Sequence, residues 1–312
     1  MPDQRKDKTL LDGKYEIVAP VGMGGMASVW RAVAHGAAGF SRPVAVKRIL
    51  PKHRDDDEYV AMFVEEARVG SELVHQNLVQ VYDLCGSRDE GYFLVMEWVE
   101  GCALGTLARS CVPELPPWQE MCFAVGSALN GLAIAHDRLD VQGNPSPIIH
   151  RDVSPGNILI NIRGEAKLGD FGLAKADDRE LVNPTLPGMV KGKPGYMAPE
   201  VLHEAAPNVA SDIYAMGVTL WEALTGKRLF GHSAQFDRLK AIVQGDVTPL
   251  SEHRDDLPPR LLALLDSALT MEPDQRPGSA TDFADELFSA LRENGGRYLQ
   301  ARLAERVRTY IG

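Results

Sequence analysis

The chain has little cysteine. Four residues, Cys85, Cys102, Cys111 and Cys122, are spread through 312 positions with no CxxC pair and no histidine at metal-ligand spacing. A disulfide framework or a zinc site therefore has little support. The cysteines read as reduced thiols, in keeping with a cytoplasmic location. Long apolar runs are missing as well: nothing approaches the ~18 residues a membrane-spanning helix needs, and the opening MPDQRKDKTLLDGKYE is charged and lacks the apolar centre of a signal peptide. No membrane span is therefore expected in this chain. There is no block of basic residues either. Lys and Arg number 33 against 43 Asp and Glu, a formal charge of −10, so the electrostatic footprint of nucleic-acid binding is absent and neither DNA nor RNA is expected as a partner. No internal repeat or low-complexity segment is present.

What remains, 45% hydrophobic and 24% charged residues, can bury a core large enough for one large domain or two lobes. After about fourteen polar residues, Tyr15 to Val18 and Val29 to Ala34 alternate like paired strands around GMGGMAS, and Val44 to Leu50 supplies a third β-rich run. Residues 57 to 73 read as a helix. LVQVYDL and YFLVMEWV then flank the polar turn GSRDEG as a second hairpin. The sum is a small β-rich lobe with one helix. From Leu104 onward the pattern is helical, with long stretches at 117–136, 208–224 and 258–292 between Gly/Pro-rich loops.

Several short motifs stand on this frame. Gly22-x-Gly24-x-x-Ala27-x-Val29 spans a strand, a turn and a strand, where bare glycines let backbone amides approach phosphate oxygens; by itself the same pattern also fits a plain turn. Lys47 ends the alternating run VAVK, where it either snorkels to solvent or needs an anionic partner. On the following helix Met62, Val69 and Leu73 mark an apolar stripe that contains Glu66 and leaves Glu65 outside, which makes Glu66 the candidate partner. Further on come His150-Arg151-Asp152 with Asn157, then Asp170-Phe171-Gly172, then Ala198-Pro199-Glu200, in that order.

The ordered set VAVK, HRD-x-x-x-x-N, DFG and APE resembles the eukaryotic-like (Hanks-type) protein kinases, specifically their bacterial serine/threonine branch, over roughly residues 15 to 291. The resemblance implies an α+β, bilobal protein-kinase-like fold. Its divisions would be an N-terminal extension (1–14), an N-lobe (15–99), a mainly α C-lobe (100–291) and an amphipathic tail (292–312). It also implies roles. The loop from Gly22 and Gly24 to Val29 would cover the phosphates of ATP, and Lys47, held by Glu66, would contact the α- and β-phosphates. Ala45 and Leu159 would sandwich the adenine, with Met96 behind it and backbone groups of Glu97 and Val99 at its edge. Asn157 and Asp170 would bind Mg2+, with Mn2+ as a substitute, and Asp152 would orient the substrate hydroxyl and accept its proton. Glu200 would pair with Arg276, and Asp212 would brace the catalytic loop. Arg151 would receive a phosphate on Thr185, the only Ser or Thr between DFG and GKPGY. The implied partners are ATP and protein substrates, with a transient homodimer for autophosphorylation.

Departures from the family pattern carry their own expectations. Ala27 replaces the third loop glycine. Gly70, four residues after Glu66, stands where the family has a bulky apolar side chain, and it should leave a gap in the helix face. DRLDVQGNPSP, between His136 and Ile148, is a long link that reads as a surface loop. Ser154 occupies the position of the family's catalytic-loop lysine, while Lys193 occupies that of the threonine in Gly-Thr-x-x-Tyr. These two functional groups read as exchanged, and both Lys193 and Ser154 become candidate catalytic residues. The tail places Leu299, Leu303 and Val307 beside Arg302, Arg306 and Arg308, a basic amphipathic helix suited to a membrane surface, to a partner, or to packing on the second lobe. A pseudokinase that binds nucleotide without efficient transfer is the competing reading. A small-molecule phosphotransferase would not need GKPGYMAPE, and VSPGN differs from the catalytic loop of tyrosine-specific kinases.

Overall fold

A computed structural model describes residues 10–88, 91–171, 193–231 and 234–312. The described chain divides into two compact units, one holding the chain up to Val74 with Val79–Trp98, the other holding His75–Leu78 with the chain from Val99.

The first unit is an antiparallel sheet of six strands, β1 (Leu10–Leu11), β2 (Tyr15–Met23), β3 (Ala27–His35), β4 (Ser41–Ile49), β5 (Val81–Cys85) and β6 (Phe93–Glu97), in the order β1-β2-β3-β4-β6-β5. Residues of one parity along β2, β3, β4 and β6, among them Tyr15, Ala32, Val44, Val46, Phe93 and Val95, bury one face together, as the period of two requires. The other face meets helix α1 (Asp57–Glu72) through Ile49, Phe63, Ala67 and Leu94. Asp56 caps α1 by accepting from the N–H groups of Glu58 and Tyr59. Gly70 leaves no gap: a Cβ there would lie 2.5 Å from Val81 Cγ2 of β5. The expectation fails because strand β5 crosses α1 closely enough for its own β-branched residue to fill the space, which no pattern within the helix could signal.

In the second unit a three-stranded sheet, β7 (Gly101–Ala103), β8 (Ile158–Asn161) and β9 (Ala166–Leu168), lies with helices α2 (Leu104–Ser110), α3 (Trp118–His136), α4 (Pro199–Leu202), α5 (Val209–Thr225), α6 (Gln235–Val243), α7 (Pro259–Ala268), α8 (Ala280–Glu293) and α9 (Leu299–Ile311). The core gathers on α3, α5 and α8, where Leu129, Leu132, Met216, Leu220, Phe283 and Leu287 are fully buried. Each such side chain is worth about 1.5–3 kcal/mol relative to exposure. Asn208 and Ser211 form a reciprocal capping box at the start of α5, and Gly226, at φ 68°, closes its end. The link 137–147 is a surface loop in which Val141 is almost fully exposed and the Asp140 carboxylate accepts from the N–H groups of Gln142 and Asn144. All four cysteines are free, and burial raises their pKa values. Among the described residues no helix is long and apolar enough to cross a membrane.

Candidate active site

In the first unit, β2 and β3 bring the glycine loop to a hairpin tip where the Gly24 N–H donates to the Ala27 carbonyl at 2.8 Å. Gly22, Gly24 and Gly25 are exposed, and none has a positive φ. A Cβ at Gly22 or Gly25 would meet nothing within 4 Å, and at Gly24 only the Ala27 carbonyl at 3.5 Å. Neither backbone conformation nor packing demands glycine here. What glycine leaves is uncovered amide surface, which fits close approach by a phosphate chain. The far side of the tip is tied down: the Leu50 N–H donates to the Met26 carbonyl, and His53 Nε2, its ring stacked on Tyr59, reaches the Gly25 carbonyl at 3.2 Å.

Register places Val29 opposite Lys47 on the neighbouring strand, and Ala45 opposite Met96. Lys47 Nζ donates to Glu66 Oε1 at 2.5 Å, the carboxylate residue being only 5% exposed while Glu65 faces solvent. The Glu97 N–H is committed to the Gln80 carbonyl at 2.8 Å, so that group belongs to the sheet. Val99 is half-buried at the head of the second unit, and Leu159 is half-buried on β8, on the face opposite the fully buried Ile158 and Ile160.

The second unit assembles the remaining groups around the loop 150–157. Asp212, in the first turn of α5 and 2% exposed, accepts from the N–H of His150 at 2.7 Å, the N–H of Arg151 at 3.0 Å and His136 Nε2 at 2.9 Å. His136 was not among the sequence candidates; its position at the end of α3 gives no motif that would have found it. Asn157 Nδ2 donates to the Asp152 carbonyl at 2.8 Å and to Asp152 Oδ2 at 3.0 Å, and the Gly169 N–H donates to the Asn157 carbonyl at 2.9 Å. Arg151 and Asp170 adopt φ values of 63° and 60°, a left-handed conformation that costs non-glycine residues about 1–3 kcal/mol and gathers at functional sites. Arg151 Nε is buried with no hydrogen-bond partner among the described residues. Thr185 and Gly172 lie outside the described residues.

Lys193 and Ser154 are brought together. The lysine opens a 3-10 turn at Pro194–Tyr196, and its ammonium donates to Ser154 Oγ at 2.9 Å, Asn157 Oδ1 at 3.2 Å and Asp152 Oδ2 at 3.3 Å. Ser154 is 1% exposed. Behind this segment Glu200 and Arg276 form a bidentate pair at 2.7 and 2.9 Å. The same guanidinium donates to the carbonyls of Thr270, Ala210 and Met271, so all five of its N–H groups are used.

His150 is fully buried against Phe171, ring centroids 4.5 Å apart. Its Nδ1 accepts from the Asp152 N–H at 3.3 Å and its Nε2 faces the Gly169 carbonyl at 3.2 Å, which selects the neutral ring protonated at Nε2. Burial holds its pKa below the usual 6.5, against the opposing pull of Asp212 and Asp152. The unfolded chain therefore takes up a proton below pH 6.5 that the folded chain refuses. The resulting stability is complete above that pH and shrinks as pH falls, by up to about 1.4 kcal/mol per unit. Melting temperatures across about pH 7.5 to 5.5 should fall more steeply for the wild type than for His150→Gln, which cannot titrate; equal slopes would contradict this account.

Oxygen donors at Asn157 and Asp170 suit a hard divalent cation, and Mg2+ needs only one or two protein oxygens when phosphates and water complete its shell. The oxygens of Asn157 and Asp170 thus fit such a cation. The family model described as the protein kinase domain matches residues 15–289. The chain belongs to the protein kinase family. Among its relatives, the tyrosine-protein kinase MasK of Myxococcus xanthus is 38% identical over 90% of this chain and 44% of its own length. The serine/threonine-protein kinase PknA of Mycobacterium tuberculosis is 36% identical over 88% and 61%, and the serine/threonine-protein kinase PrkC of Bacillus subtilis 32% identical over 92% and 42%. This chain thus spans about half the length of these relatives. The crystal structure of the Mycobacterium tuberculosis PknI kinase domain superposes with a TM-score of 0.65 at 26% identity, covering 89% of this chain and 96% of that one. The protein kinase fold expected from the motifs is the fold observed.

Proposed function

We propose that this kinase domain transfers the γ-phosphate of ATP to serine or threonine hydroxyls of protein substrates, in bacterial signalling. The observation that carries the proposal is the cluster in which Lys193 reaches Asp152, Ser154 and Asn157 at hydrogen-bond distance, with Asn157 bonded in turn to Asp152. Phosphoryl transfer asks the protein mainly for positioning and for compensation of negative charge. The glycine loop would hold the phosphates through its backbone amides, and Lys47 would contact them while Glu66 fixes its ammonium. Ala45, Leu159 and Met96 would frame the adenine, with the carbonyl of Glu97 and the N–H of Val99 at its edge. Mg2+, or Mn2+ in its place, would neutralise charge on the phosphates, held through Asn157 Oδ1 and the Asp170 carboxylate. Asp152 would orient the substrate hydroxyl and take its proton, and Lys193 would offer its ammonium to the transferring group in place of the lysine absent at 154. Arg151, whose buried Nε has no hydrogen-bond partner among the described residues, suits a phosphate on Thr185, which one copy of the chain could place on another from ATP in a transient encounter.

The relative MasK, a tyrosine-protein kinase, favours a second reading, tyrosine transfer. One experiment tests both: incubation with labelled ATP and Mg2+, then mass spectrometry of the phosphosites. Phosphoserine and phosphothreonine, Thr185 included, are expected. Label confined to tyrosine would support the second reading, and nucleotide binding without label would make the chain a pseudokinase.

A further inference from the structure

Helix α9 lies beyond residue 289, where the family match ends. Its Leu299, Leu303, Ala304 and Val307 are buried, and its arginines are not a free basic face. Arg302 and Arg306 donate to the two carboxylate oxygens of Glu120, at 3.0 and 2.5 Å; the Glu120 side chain is 2% exposed, whereas the arginine side chains are 47% and 34% exposed. The helix also holds the turn between β8 and β9. Arg308 donates to the Ile162 carbonyl at 2.9 Å and Gln300 Nε2 to the Arg163 carbonyl at 3.3 Å. At the apex Gly164 has φ 77°, and a Cβ there would stand 2.0 Å from the Gln300 carbonyl oxygen. Helix backbone and turn backbone are therefore in direct contact.

That hairpin carries the two residues read as metal ligands. Asn157 immediately precedes β8, Asp170 follows β9 by two residues, and the Gly169 N–H to Asn157 carbonyl bond ties the strand ends together. Each strand spans about 13 Å from turn to ligand at 3.3 Å per residue. From this geometry we infer that α9 is a positioning strut: it grips the turn of the β8–β9 hairpin and so fixes the spacing of the Asn157 and Asp170 oxygens at its other end, with Glu120 as the latch. The inference rests on reading those oxygens as the metal site.

The latch is asymmetric. Releasing the arginines exposes them to an open cavity of about 930 Å³ beside the 110–117 segment, but it leaves a buried carboxylate alone, the costlier half of a broken pair. Arg302→Ala with Arg306→Ala should therefore loosen α9 more than Glu120→Gln, and the double lysine variant, which keeps the charge, should restore most of the grip. Gly164→Ala breaks the same contact through sterics alone. Hydrogen exchange on the nucleotide-free chain should show amides 158–168 exchanging about tenfold or more faster in the double alanine variant and in Gly164→Ala, with α5 and α8 unchanged. The half-saturating Mg2+ concentration for phosphoryl transfer should rise about tenfold, the scale of losing support behind a metal ligand, while kcat at saturating metal changes little. Unchanged hairpin exchange, exchange that rises equally everywhere, or local loosening with an unaltered Mg2+ requirement would each overturn the strut. A wild-type chain with no Mg2+-dependent transfer would instead overturn the kinase reading beneath it.

Discussion

Asp152→Asn is expected to cut phosphoryl transfer by about 10³-fold, the middle of the range for losing a positioned proton acceptor, while leaving the melting temperature close to that of the wild type. The substitution preserves shape, and its amide oxygen can still accept the 3.0 Å bond from Asn157 Nδ2. What disappears is the negative charge and the basic lone pair facing the substrate hydroxyl. Lys47→Met should remove activity as well, with a different signature: it deprives Glu66 of its 2.5 Å partner at a residue only 5% exposed, and breaking a buried pair costs up to about 3–5 kcal/mol. Activity and stability should therefore fall together at Lys47 and separately at Asp152. Wild-type turnover in either variant, by a labelled-ATP assay beside thermal melts, would remove that residue from the mechanism.

The second large effect is expected at Lys193. Lys193→Met should lower kcat by on the order of 10²-fold, as when one preorganised charge is withdrawn from a transition state, with KM for the peptide substrate nearly unchanged. The ammonium already sits 2.9 Å from Ser154 Oγ. A lysine grafted at 154 would thus start beside the place its charge must reach, and Ser154→Lys combined with Lys193→Thr should recover much of the lost rate. A kcat within about twofold of wild type in Lys193→Met, too small for loss of a transition-state contact, would mean that the ammonium is only a strap across the loop.

The facing of Lys193 and Ser154 was legible because two motifs at fixed offsets each lacked the residue the other had gained. The strands and α1 were legible too, since one face of the β2–β6 sheet is buried with a period of two and Glu66 interrupts an otherwise apolar helical stripe. Contacts that depend on distant partners were not. Val81 beside Gly70 and His136 beside Asp212 join segments whose local patterns carry no trace of each other. The tail shows the limit most clearly: an arginine row next to a leucine row reads alike whether it will face lipid, a partner, or a buried carboxylate 182 residues earlier in the chain.

Arg276 has a consequence for how the substrate platform comes into being. Its guanidinium, wholly buried, draws its acceptors from the start of α4, the start of α5 and the 270–271 turn. Were the guanidinium enclosed with one of these acceptors missing, a donor would be buried without a partner, at several kcal/mol for a charged group. Burial of Arg276 is therefore favourable only when all of these segments supply their acceptors together. Docking of the start of α4 is thus coupled to that of α5 through one side chain, and a lysine, with three donors, could not bind all five of these acceptors at once.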